Sequence, residues 1–141
     1  MPRPATIPAA AVLAVTGLAL GACGGASRSD AVNVATTWLK AVQQGDDTAA
    51  CKLMDAKAAE VIASKYVRDR EQASCGEIVA GYRDGVGTDT LKRVLDGGLE
   101  ASGTVRKGYI GVFPKQAPFQ HDIVLMHSLG GHWAVASTGI E

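Results

Sequence analysis

The sequence is poor in most of the features that announce a function. Neither sign of charge is in excess, with 14 basic and 14 acidic residues in 141. That balance argues against nucleic acid as a partner, because such binding needs a concentrated basic surface to displace counterions. The densest basic groups, "KYVRDR" and "LKR", are short and partly neutralised by Asp69, Glu71 and Asp96, so they read as solvated faces. Beyond Leu20 no apolar run approaches the roughly 20 residues that a spanning helix requires. Cysteine occurs only three times and never as C-x-x-C, which removes the usual redox centre. There is no Gly-x-Ser-x-Gly elbow, no His-Glu-x-x-His and no P-loop. The glycine-rich "GVGTDT" and "DGGLEASG" neither follow a clear strand nor open a helix as a dinucleotide fingerprint must, and they read as turns. Aromatic residues total seven, and Trp38, Tyr82, Tyr109, Phe113 and Trp133 fall at positions compatible with one core. A content of 47% hydrophobic and 20% charged residues is that of one ordinary globular domain.

What is present begins at the amino end. "MPRPATIPAAAVLAVTGLALGAC" has a free amine and Arg3, a largely apolar stretch from Ala9 to Leu20, and small residues after it. This is the plan of an export signal, and its apolar part of about 12 residues is too short for a mature spanning helix. Leu20-Gly21-Ala22 stands directly before Cys23, and "GGASRS" follows as a flexible polar linker.

The Leu-Gly-Ala-Cys run resembles the lipobox of bacterial lipoproteins. The resemblance implies that residues 1–22 are a signal peptide, that the Cys23 thiol receives a diacylglyceryl group, and that the new amino terminus is a further acylation point. Two chains on one residue meet the requirement for durable anchoring, since a single chain holds only weakly. The expected location is the outer face of the bacterial cytoplasmic membrane, with residues 23–29 as lipidated linker and 30–141 as the folded domain. In that oxidising compartment Cys51 and Cys75 form an even pair, read as a structural disulfide with free buried thiols as the alternative.

From Asp30 the pattern is helical. Val32, Ala35, Leu39 and Val42 recur at spacings of three and four beside Trp38, with Ser29 or Asp30 as the cap and Gly45 as the stop. A second helix starts at Asp46 or Asp47 and places Ala50, Leu53 and Met54 on one face. A third runs over Asp55 to Arg70 with Ala58, Val61, Ile62 and Tyr66 inward. "ASCGEIVAGYRDG" predicts another through Cys75, Ile78, Val79 and Tyr82, so that a bond between Cys51 and Cys75 would staple the second helix to this one. "TDTLKRVLDGGLEASG" reads either as a short helix ending at Gly97-Gly98 or as an irregular strand.

Beyond Gly103 the period changes to two. "TVRKGYIGVF" predicts a strand with Val105, Tyr109 and Phe113 on one side, and Pro114 and Pro118 interrupt the ladder. "QHDIVLMHSLGGHWAVAST" reads as a hairpin about Gly130-Gly131. Ile123, Leu125 and His127 alternate there with Val124, Met126 and Ser128, and Trp133 and Val135 share one face of the closing strand. Helices first and antiparallel strands last define an α+β class, with the helices against one sheet face.

In "VATTWLKAVQQGDDTAACKLMD", "ASCGEIV" and "LGGHWAVAS" the chain is similar to the small NTF2-like domains of actinobacterial envelope lipoproteins, over about Asp30 to Gly139. The resemblance implies a sheet curled against helices into a cone, complete or reduced, whose open end can hold a ligand. Few convincing strands precede Val105, so the helix-then-sheet layout carries over more securely than a deep cavity.

Enzymes of that class use an inward Asp and His, or Asp with Tyr, for proton transfer. Here the candidates are Asp55, Asp84, Tyr82, His121, His127 and His132, and no spacing brings a carboxylate and a histidine together. A two-residue turn at Gly130-Gly131 pairs Leu129 with His132 and His127 with Ala134, which places two imidazoles near each other. A zinc centre needs a third ligand, so no metal or cofactor is expected. Tyr82, Tyr109, His121, His127 and Trp133 are the candidate lining of a ligand mouth, and Phe119 is a candidate contact residue. The main expectation is a non-catalytic, lipid-anchored domain that binds an envelope protein or a small apolar ligand. The alternatives are an NTF2-like enzyme using a Tyr/His/Asp pocket on a small cyclic or lipid-like substrate, and an accessory or inhibitory domain for an envelope enzyme or transporter.

Overall fold

In the computed structural model the described residues are 27–102, 105–119 and 124–140. Cys23, His121 and Ile123 lie outside them. Five helices precede or adjoin four strands: α1 (Arg28–Gln44), α2 (Asp47–Lys52), α3 (Ala56–Tyr66), α4 (Cys75–Val86), α5 (Thr88–Gly97), β1 (Leu99–Ala101), β2 (Tyr109–Pro114), β3 (Val124–Leu129) and β4 (His132–Thr138). The strands form an antiparallel meander in the order β1-β2-β3-β4. The α+β layout read from the sequence is therefore present, with α1 packed across all four strands and α3 against β4.

The helix boundaries follow side-chain chemistry. Ser27, not Ser29 or Asp30, caps α1, because its extended backbone lets its hydroxyl accept from the Asp30 amide at 3.1 Å. At the other end Gly45 takes a left-handed conformation with φ of 77°, and its amide reaches back to the Ala41 and Val42 carbonyls. Asp46 caps α2 through the Ala49 amide, and Asp55 caps α3 through the Ala58 amide. The third helix ends at Tyr66 rather than Arg70, since Val67 turns extended. Ser74 and Glu77 form a reciprocal capping box at the start of α4. The backbone and side-chain hydrogen bonds from Ser74 hold the Glu77 carboxyl below the usual carboxylate range.

Cys51 and Cys75 are bonded, with Cα atoms 6.0 Å apart, and the bond ties α2 to the first residue of α4. Arg83 of α4 reinforces the same junction by donating to Asp47 in the first turn of α2. The ambiguous 88–101 segment turns out to hold both alternatives in succession, helix α5 to Gly97 and then strand β1.

The core contains Trp38, Leu39 and Val42 from α1, Ile62 from α3, Val79 and Tyr82 from α4, Leu91 and Val94 from α5, and Ile110, Val112, Val124, Met126 and Val135 from the sheet. Tyr109 and Phe113 share one side of β2 as expected, but that side is not the core side. In β2 the buried set is Ile110, Val112 and Pro114, while Tyr109 and Phe113 lie on the opposite face and Val105 is exposed outside the strand. Both alternating sets are apolar, so period two marks the strand without saying which face the helices cover.

In the closing hairpin Leu129 pairs with His132 and His127 with Ala134, as the two-glycine turn requires. Trp133 and Val135 face the core. The register then shifts, Leu125 pairing with Ser137 and Met126 with Val135, which leaves Ala136 as an extra residue. This bulge changes the inward set from odd to even positions, so Thr138 returns to the core side.

Candidate functional site

Among the described residues, a carboxylate and a histidine of the candidate set meet on the sheet face away from the core. Between α2 and α3 the chain runs beside β4: the Val135 amide donates to the Leu53 carbonyl at 2.7 Å, and the Asp55 amide donates to the Val135 carbonyl at 2.9 Å. Met54 pairs with Val135 in a short parallel bridge. Val135 and its pair Met54 point to the core side, and the extended Asp55 that follows projects to the other side.

Across that other face Ala134, His127 and Tyr109 lie side by side on β4, β3 and β2, and the Asp55 side chain reaches this row diagonally from the chain beside β4. Asp55 Oδ2 stands 3.4 Å from His127 Nδ1. Asp55 Oδ1 meanwhile accepts from the Ala58 amide at 2.8 Å, which fixes the carboxylate in place. Its side chain is 11% exposed and that of His127 is 25% exposed. On the far side the imidazole lies flat on Tyr109, with ring centroids 4.2 Å apart and planes within 4°. A side chain at Gly108 would lie against Nε2, its Cβ 3.8 Å away, so glycine there keeps that nitrogen uncrowded.

This arrangement can orient a base. A carboxylate beside Nδ1 favours the tautomer that carries its proton on that nitrogen and leaves the Nε2 lone pair for a ligand or a proton. The 3.4 Å separation is longer than a good hydrogen bond, as catalytic contacts often are before a ligand tightens them. Phe113 and Leu125 are partly buried on the same face and give the row an apolar neighbourhood.

The other expected site residues do not join this row. Tyr82 is fully buried in the core, where its hydroxyl meets Thr138 Oγ1 at 2.9 Å and the Ile140 carbonyl at 3.2 Å. Trp133 faces the core, and its Nε1 donates to the Ser27 carbonyl at 2.8 Å. His132 is exposed at the hairpin end, and Asp84 is exposed on α4. Phe119 packs partly against the core and under the Arg93 guanidinium. Of the five residues expected to line a mouth, Tyr109 and His127 are neighbours, Tyr82 and Trp133 lie elsewhere, and His121 is outside the described residues. The expectation that no carboxylate meets a histidine is corrected by Asp55. Its role as a helix cap was legible in "MDAKAAE", but its approach to His127 depends on the chain running beside β4, which no local pattern records.

Surface depressions occur on the helical side instead. One is lined by Ala59, Ala63, Arg70, Glu71, Ala73 and Ile78, and another by the loop Arg68 to Gln72. Among the described residues no three His, Cys, Asp or Glu side chains cluster as metal ligands, and no helix is long and apolar enough to cross a membrane. No family model, curated protein or solved structure matches the chain.

Proposed function

We propose that the chain is an exported lipoprotein, anchored through Cys23, whose NTF2-like domain works through the Asp55–His127–Tyr109 row. The ligand is a small cyclic or lipid-like molecule lying on the apolar sheet face, with His127 Nε2 as its polar contact and general base. The observation that carries this reading is the Asp55–His127 contact beside the stacked Tyr109. A carboxylate fixed by a helix cap, an imidazole it orients and an aromatic plate are the parts that proton abstraction from a bound ring needs. A second reading keeps the same site without turnover, as a binding domain for an envelope ligand or protein. The openness of the four-stranded sheet favours it, because base catalysis gains most where water is excluded.

The ring-opening probe 5-nitrobenzisoxazole separates the two. Nε2 takes the ring C–H proton, the electron pair forms the nitrile, and the N–O bond breaks to release the phenolate, which absorbs visible light. The enzyme reading expects ring opening above the buffer rate and a loss of about 100-fold in His127→Ala, the lower end of what a positioned base contributes. Amide shift changes confined to Tyr109, His127 and Ala134 without turnover select the binding reading. Neither response would overturn the site.

A further inference from the structure

Resting on the lipid anchor at Cys23, we propose that one end of the sheet is a membrane-facing surface that seats the domain on anionic phospholipid. Three separate segments converge at that end. The Trp133 indole holds the Ser27 carbonyl, which places the start of α1 beside the first residues of β4. The hairpin turn at Gly130-Gly131 lies immediately before those residues. The Ser128 amide donates to the Gly108 carbonyl at 2.7 Å, bringing the turn that leads into β2 alongside the same hairpin end.

The groups exposed there differ from the rest of the surface. Among the described residues Val105 and Leu129 are the two large aliphatic side chains that stand out in water, 42% and 46% exposed. Arg106 and Lys107 are exposed beside Val105, and Arg28 is exposed in the first turn of α1. Asp30, bonded to the Ser27 hydroxyl, is the acidic group of that helix turn. Two apolar tips flanked by three cations suit a bilayer surface rich in phosphatidylglycerol, where aliphatic side chains enter the interface and cations meet phosphate.

The length of chain outside the described residues selects this occupant. Only Gly24, Gly25 and Ala26 separate Cys23 from Ser27. Fully extended, that segment reaches about 14 Å. A thioether at the lipid surface therefore keeps the hairpin end within about two Debye lengths of the headgroups at physiological salt, so the cations act on phosphate only when the tether lets them close in. The Asp55–His127 row adjoins this end through Gly108, so a ligand arriving along the bilayer meets it beside the hairpin.

The test uses the intact protein purified from membranes and reconstituted in vesicles of pure phosphatidylcholine or of phosphatidylcholine with phosphatidylglycerol. Hydrogen exchange is expected to slow about fivefold in peptides covering 105–108 and 128–132 when phosphatidylglycerol is present. High salt, or the exposed pair Arg106→Glu and Lys107→Glu, should abolish the difference while circular dichroism stays native. Equal exchange in the two vesicle types, in protein whose intact mass shows the diacylglyceryl group, overturns the docking surface alone. An unmodified Cys23 in that mass spectrum overturns the anchor, and this inference with it.

Discussion

Trp38 and Tyr82 are among the largest fully buried side chains, and each takes a polar atom into the core. Among the described residues Trp38 Nε1 has no hydrogen-bond partner. Tyr82 sits against Trp38 at 5.5 Å and against the edge of Tyr66 at 5.2 Å, with its hydroxyl fully engaged. One arrangement of protons satisfies that cluster: the phenol donates to the Ile140 carbonyl, the Thr138 hydroxyl donates to the phenol oxygen, and the Ile140 amide donates to Thr138 Oγ1. Removing the phenol hydroxyl leaves buried partners unpaired, so Tyr82→Phe is expected to lower stability by about 1–2 kcal/mol. Urea denaturation checks this as a lower midpoint with an unchanged slope. Tyr82 was legible as a core position from helical spacing, whereas its polar partners were not, because the bulge at Ala136 is what turns Thr138 inward.

Among the helices, α2 buries the fewest residues. It has six residues, and among them only Ala50 is buried. Its place is set by the Cys51–Cys75 bond to α4, by Arg83 on Asp47 and by the Asp46 cap. The disulfide spans a sequence separation of 24, and in the chain-entropy account closing such a loop contributes about 3 kcal/mol. The double substitution Cys51→Ala and Cys75→Ala is expected to lose about that amount in chemical denaturation, and a loss near zero would show that packing alone positions α2. Since the Leu53 to Asp55 segment follows α2 directly, the same variant is also expected to blunt any shift change at His127 on adding probe. The pairing was readable from an even number of thiols in an export-type chain; what it supports, the path of the chain beside β4, was not.

For the whole molecule, the domain's two ends have different jobs in the reading proposed above. The helix-free face holds the Asp55–His127–Tyr109 row, and the hairpin end, near the start of α1, faces the tether. Replacing Cys23 by Ala is expected to move the protein from the membrane fraction to the soluble fraction. Unchanged fractionation of that variant would count against the anchor. The hairpin cations alone cannot compensate for lost acyl chains, because each buried methylene contributes roughly 0.8 kcal/mol and an acyl chain has many.

The sequence by itself determined the helices-then-strands order on either side of 88–101, the Gly45 stop, the two-glycine hairpin and its pairing, and the availability of Cys51 and Cys75 for a bond. These depend on nearest neighbours: a cap, a turn or a period acts within a few residues. Only the tertiary structure decided which of the two apolar faces of β2 is buried, because that depends on where α1 lies. It alone brought Asp55 to His127, since their meeting needs a strand register and a short parallel bridge, contributed by chain segments far apart in sequence.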